Sequence, residues 1–386
     1  MAHFIDTSNE FRETIAGSHT IAAKMELRSP QHELIDEITV NEGTVTVDET
    51  DAIRSRIRSS LVADVSPQQI YEWLNPLAGN ELWAYRGVVL PSTGRAEYVQ
   101  LGKFNISKYN VDDGRETFNI SVNGYDYSRR VRRNRFLENY HIIRGTPFIE
   151  AIRAMLQDYA SWLKLDFNEA EEHSLISSLQ APALTFGGSG NTGGGNAWDS
   201  GRDIASAIGC ELLIDNEGIC VLRPIPDFST ESVMWHYHEG INAQFMYSSR
   251  SVDDENFRNA IRVTGENTDN DGPIVGYAED NDPLSPTSVE GVYGRVPGFF
   301  SSKFITTENQ ANIVAEARLM RRIALTENVR LTAITNPAIQ VGNAIHIQRE
   351  RSGLDESFIV ERLPIGMTYE QPLQIGLRSR RTTGGL

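Results

Sequence analysis

The chain of 386 residues is 40% hydrophobic and 23% charged, which excludes a disordered chain or a fibre, and its net charge is −16. That acidity argues against nucleic-acid binding through a basic surface, because neutralising phosphates needs Lys and Arg. An acidic wall past which DNA slides without sticking has the same composition.

The length allows two or three domains with separate cores. No apolar run approaches the roughly 20 residues of a membrane span. The start, Met1-Ala-His-Phe-Ile-Asp6, lacks the basic and apolar regions of a signal peptide, so folding in a cytoplasm is expected.

Residues 1–144 read as β-structure. A strand is expected over Ser18 to Leu27, and a turn at Glu42-Gly43 before the alternating Thr44-Val-Thr-Val47. Ile53, Ile57 and Leu61 fit a strand or a helix. Ser66-Pro67 opens one short helix reaching Trp73, with Ser66 capping and Pro67 at the first position. Strands Leu82 to Leu90, Tyr98 to Tyr109 and Glu116 to Tyr125 follow, parted by turns ending at Gly94 and Gly114. Short strands with close turns point to a barrel or sandwich. Arg129, Arg130, Arg132, Arg133 and Arg135 then cluster, either as a solvated strand end or as a contact for an acidic partner subunit.

Residues 145–228 read as a small α+β unit. Thr146 caps a helix with Pro147 first, and Ile149, Ile152, Leu156, Tyr159 and Leu163 repeat at helical spacing. Strand Leu184 to Phe186, a glycine-rich loop and a helix from Trp198 to Ile208, ended by Gly209, come next. A hairpin turning at Asp215 to Gly218 carries both cysteines, Cys210 and Cys220. Pairing Ile214 with Ile219 leaves the thiols three positions out of register, about 10 Å at a strand's rise. That exceeds what a disulfide tolerates, so both are expected to be free and buried, as in a reducing compartment.

From residue 229 strands return. They are expected at 243–247, 259–265, 330–334, 343–348, 357–363 and 373–380, with a helix at 308–325. Thr307 and Gln310 form its capping box, and Ile313, Ala317, Met320 and Ala324 its buried stripe. Gln100-Leu-Gly102 and Gln340-Val-Gly342 each precede a strand, an acidic turn and another strand. With the matching strand order, this echo suggests two related β-barrels. The expected fold is mainly β: a barrel at 1–144, the α+β insertion at 145–228, and a second barrel at 229–386 carrying loop 266–306 and helix 308–325.

Motifs for chemistry are weak. Gly188-Ser-Gly-Asn-Thr-Gly193 matches Gly-x-Gly-x-x-Gly, but dinucleotide binding needs the helix to start inside the motif and a parallel β-α-β unit; here a hairpin follows. Asn267-Thr-Asp-Asn-Asp-Gly272 starts like a calcium loop, yet its twelfth position is Ala278. His236 and His238 share a strand face without a third zinc ligand at recognisable spacing. No nucleophile motif marks Cys210 or Cys220. A pair of glycosidase carboxylates needs only correct spacing, and none of the 52 Asp and Glu residues stands out. No catalytic residue, cofactor or metal is assigned.

One stretch remains, from Gly276 to Ala311. Acidic residues, prolines and glycines make its first half read as loop, since Pro283 and Pro286 disfavour helix and central strand. A long, specific loop inside a folded chain carries function or an interface. Phe299 and Phe300, two aromatics in a connector, are the candidate subunit-interface residues.

The set Ala278-Glu-Asp-Asn-Asp-Pro283, Ser285-Pro-Thr287, Gly294-Arg-Val-Pro297, Phe300-Ser-Ser302 and Ile305-Thr-Thr307 resembles tail hub, or minor tail, proteins of long-tailed bacteriophages, especially of actinobacteria. Cys220-Val-Leu-Arg-Pro-Ile-Pro-Asp227 and Gly17-Ser-His-Thr20 add to it, so the resemblance runs along most of the chain. Such hubs are similar to the baseplate hub of contractile-tailed phages. The resemblance implies two similar barrels per subunit and a homotrimer whose six barrels meet a hexameric tail tube or distal tail ring. It also implies tip or fibre proteins and the tape-measure protein as partners, DNA passing through the lumen without specific binding, and no membrane insertion. The expected place is the virion, after assembly in the bacterial cytoplasm, and the expected role is structural and non-enzymatic. The alternatives are a tail-associated peptidoglycan hydrolase and a hexameric distal-tail adaptor or receptor-binding protein. A duplicated barrel argues against the hexamer, which matches the tube without it.

Overall fold

The computed structural model describes residues 5–62, 66–114, 118–187, 195–225, 232–239, 245–252, 257–265, 272–285, 287–324, 327–368 and 373–379. Helix α1 (Asn9–Ile15) precedes strands β1 (Ile21–Arg28), β2 (Leu34–Asp48) and β3 (Ser55–Val62). Helix α2 (Pro67–Leu74) then leads to β4 (Glu81–Val89), β5 (Ala96–Asp113) and β6 (Phe118–Tyr125). Ser66 caps α2 with Pro67 at its first position, as expected, and the Gln69 side chain completes a reciprocal cap by accepting from Ser66 N at 3.0 Å. No turn forms at Glu42-Gly43: β2 runs through it, and a bulge between Val40 and Glu42 absorbs the irregularity. These strands lie in the order β1-β4-β5-β6-β3-β2, and β2 pairs back onto β1, so the pairing closes on itself.

The middle block holds α3 (Tyr127–Arg133), β7 (Tyr140–Ile142), α4 (Phe148–Tyr159), β8 (Leu165–Asp166), α5 (Asn168–Glu172), α6 (Ser174–Ser177), β9 (Leu184–Phe186), α7 (Ala197–Ala207), β10 (Cys210–Ile214) and β11 (Cys220–Pro224). The arginine cluster is largely helical, because the Asp126 side chain accepts from Ser128 N at 2.9 Å and starts α3. Arg129 lies over the Tyr125 ring, Arg130 lies over Trp162, and Arg132 pairs with Asp199 at 2.9 Å. Pro147, and not Thr146, is the N-cap of α4; the Thr146 hydroxyl donates instead to Ile143 O. The cysteine hairpin is one residue out from the expected register. Asp215 N bonds Ile219 O at 2.9 Å with Gly218 at φ +77°, which sets Ile214 opposite Cys220 and Cys210 opposite Pro224. Both thiols are free and buried, and burial pushes their pKa up.

The remaining elements are β12 (Val233–His238), β13 (Phe245–Val252), β14 (Ala260–Gly265), β15 (Ile274–Glu279), β16 (Pro297–Ser302), α8 (Glu308–Ala324), β17 (Glu327–Ala333), β18 (Ala344–Arg349), β19 (Leu354–Gly366) and β20 (Leu373–Ser379). Neighbouring strands run β12-β18-β19-β20-β17-β13. With the β14-β15-β16 excursion set aside, this is the same permutation of chain order as β1-β4-β5-β6-β3-β2. One pairing differs: β12 runs parallel to β18, whereas β1 and β4 are antiparallel. The expectation of two related barrels is met in part. Strand order repeats, but β2 pairs with β19 and joins both halves into a 12-stranded sheet. The second half shows no closing β12–β13 pairing among the described residues. The three-residue echo does not follow the repeat: Gln100 to Gly102 lie inside β5, while Gln340 to Gly342 precede β18, the counterpart of β4.

Two large cores result. One takes Met25, Leu82 and Phe104 from the first half together with Ile345, Phe358 and Leu377 from the second. The other holds Ile152, Trp198 and Leu212 of the α+β block together with Ile261, Val263, Val314 and Leu319. The segment between β13 and β17 therefore packs with the α+β block.

Both connections between the second and third strands of a half reach α7. In the first half, Ala52 O accepts from Trp198 Nε1 at 2.9 Å. In the second, Gln310 Nε2 donates to Ala207 O at 3.2 Å, at the other end of that helix. Beside the first contact, Glu211 accepts from Arg54 at 2.7 Å and from Arg223 at 2.8 Å, all three side chains being buried. Burial works against the Glu211 charge, but the two guanidiniums outweigh it and hold its pKa well below the usual carboxylate range. Asp126 takes bonds from Ser55 N and Ser128 N, yet burial still pushes its pKa up to about 6.

Candidate functional site

The stretch from Gly276 to Ala311 is not all loop. It begins in β15, passes through β16 and ends in α8, and the two strands flank β14 in the order β15-β14-β16. Both are edges of this sheet, and Pro297 opens one, a position where a proline is tolerated. The inner face lies against α8. A Cβ on Gly276 would meet the Ala311 carbonyl carbon at 2.4 Å, so glycine is what allows the helix this close. Among the described side chains of α8, which leave out Ala324, the buried stripe is Ala311, Val314, Ala315 and Leu319. Of the stripe expected from the sequence, Ile313 and Ala317 are half-buried and Met320 is exposed, so it lies to one side of the packed face. Both series recur at helical spacing, and only the position of the sheet chooses between them.

A strand's period of two separates the candidate pair. Phe300 turns inward, half-buried against the core, with the Arg318 guanidinium 3.2 Å from its ring centroid. Phe299 points outward and is 74% exposed. Its register partner on β14 is Arg262, which also pairs with Tyr277 of β15, 58% exposed. The outer face thus carries a row Tyr277–Arg262–Phe299, aromatic, cationic, aromatic. Nothing in the sequence pattern marks Tyr277 or Arg262, because two of the three strands that align them read as loop.

The loop between the edge strands is braced from within. Asn259, fully buried, donates to Thr287 O at 3.0 Å and Gly294 O at 2.7 Å and accepts from Val296 N at 2.7 Å. The Asp280 carboxylate accepts from the Ser285 and Thr287 hydroxyls, each at 2.6 Å. Arg295 pairs with Glu279 at 2.8 Å, and Asp282 accepts from Leu284 N at 2.9 Å. The acidic residues of the stretch are thus turn-builders, and the loop they shape leaves Leu284, Val292 and Tyr293 out in solvent.

Other sequence candidates gather less. His236 sits beside His346, ring centroids 5.4 Å apart, and His346 contacts Asp355 at 2.8 Å. Among the described residues, no group of three or more His, Cys, Asp or Glu side chains could hold a metal. Gly188 to Gly193 and Asn267 to Asp271 lie outside the described residues. A cleft of about 510 Å³ opens where the two halves meet the cysteine hairpin, lined among others by Val45, Gln100, Asn216 and Gln340. No helix among the described residues is long and apolar enough to cross a membrane.

No protein-family model and no curated protein matches the chain. Solved structures do. The tail protein of Neisseria meningitidis aligns with TM-score 0.63 at 12% identity, covering 93% of this chain and 97% of that one. The 43 kDa tail protein of prophage MuSo2 from Shewanella oneidensis gives 0.62 at 11%, covering 92% and 98%. The fold is that of phage tail proteins. An E. coli type VI secretion component, described as similar to the bacteriophage T4 tail proteins gp27 and gp5, aligns at 0.50 and 9% identity over 95% of this chain and 79% of its own.

Proposed function

We propose that this chain is a structural hub of the distal phage tail, three copies forming a ring that joins the tail tube to the tip proteins and lets DNA through. The observation that carries the reading is the strand order β1-β4-β5-β6-β3-β2, repeated in the second half. Three copies of a chain with two like halves offer six similar β units to a sixfold tube and a true threefold axis to a tip. The tail-protein fold supports the same reading.

In this hub, 1–144 and the strands after 229 form the ring, and the block at 145–228, joined by the segment 257–324, projects from it. The distal tail ring above, tip or fibre proteins below and the tape-measure protein are its partners, and the acidic charge lines the DNA path. The hubs that the chain resembles in sequence are those of phages of actinobacteria. Phe299 lies at the contact between copies, with Phe300 holding its strand in place from behind. Native mass spectrometry of the purified chain tests this: three copies are expected, and a strict monomer or a stable hexamer alone overturns it.

A further inference from the structure

The outer face of β15-β14-β16 has the composition of a binding hot spot, two exposed aromatics around an arginine, on a hydrogen-bonded sheet. We infer that this face receives the β1–β2 hairpin tip of a second copy of the chain; the inference rests on the trimeric hub reading and names the two surfaces that meet. The tip runs Glu33-Leu-Ile-Asp-Glu37, exposed throughout, with Leu34 at 55% and Ile35 at 38%. On the hairpin face where Leu34 pairs with Arg28 and Glu37 with Glu26, it offers an aliphatic side chain for the two aromatics and the Glu37 carboxylate for Arg262, the face's own carboxylate, Glu279, being held by Arg295.

The tip is preformed. Ser29 Oγ accepts from Gln31 N and Glu33 N, both at 3.2 Å, and Arg28 donates to His32 O at 2.7 Å. A tip fixed before contact loses little freedom on binding. Leu34, Asp36 and Glu37 pair with β1 on one side, and among the described residues the β2–β3 ladder begins at Thr39. The two surfaces are different patches of one chain, so their contact is heterologous, the type that closes into a ring.

Charge exchange tests the pairing in the full chain, read by native mass spectrometry and sedimentation, with circular dichroism to verify folding. Arg262→Glu alone, and Glu37→Lys alone, should each weaken assembly about tenfold, and combining them should restore most of it. Phe299→Ser, which leaves charge unchanged, should also weaken assembly about tenfold. A wild-type trimer that none of these changes disturbs overturns the inference and leaves the hub reading standing. Weakening by each charge change without rescue by the combination shows that the face and tip do not meet, and also overturns it. A wild-type chain that never assembles removes both.

Discussion

The two β halves share a strand order and differ most in the connection between their second and third strands. In the first half that connection is residues 49–54; in the second it is residues 253–326, which carry β14, β15, β16 and α8. Both reach α7, one at Trp198 and the other at Ala207. The contrast teaches that the α+β block is held by equivalent positions of a repeat. One position is a short polar clasp, and the other is enlarged into a packed layer.

The clasp is expected to be the more fragile. Glu211→Ala leaves Arg54 and Arg223 buried without their shared carboxylate and should cost about 3–5 kcal/mol, measured from the denaturant midpoint. A loss below about 1 kcal/mol would mean the triad does not hold the junction.

Asp126 gives the clasp a pH dependence. Its folded pKa, about 6, lies above the ordinary 3.8, so the fold favours the protonated form. Its contribution, roughly 3 kcal/mol, is fully present below pH 3.8 and lost as pH rises through about 6. Glu211 works in the opposite direction: its contribution is present above 4.5 and lost as pH falls through its depressed folded value. As pH rises from 3.8 to about 6, Asp126→Asn should therefore remove the downward pull on stability that Asp126 gives the native chain. Parallel curves for the two proteins across that window would refute the assignment.

The packed layer should respond with smaller losses. Gly276→Ala forces α8 off the sheet and should cost about 1–3 kcal/mol in chemical denaturation. Gln310→Ala leaves Ala207 O and Phe304 O without its donor bonds, a loss of about 1–3 kcal/mol by the same measurement. Phe299→Ser, at the exposed face, should change folding stability by less than about 0.5 kcal/mol. A larger loss there would make Phe299 a folding residue and not a surface one.

Sequence signals are readable where structure is local. The reciprocal cap at Ser66 and Gln69, the end of α7 at Gly209 and the alternation along β6 all stand in the chain. What is not legible depends on distant partners. The β2–β19 joint leaves no mark in either strand, and the buried side of α8 is decided by the sheet just before it, two of whose three strands read as loop. The acidic and proline residues around 280–297 hide two edge strands, because their side chains serve the turn and not a ladder. Phe299 is visible as an aromatic in a connector. Its separation from Phe300 is not, since a period of two has no meaning until the strand is known.

The most direct measurement is the symmetry of the assembled particle in a cryo-EM map. The hub account predicts three chains about a threefold axis, with six similar β units arranged around it. A ring of six identical chains, or particles no larger than one chain, would contradict it.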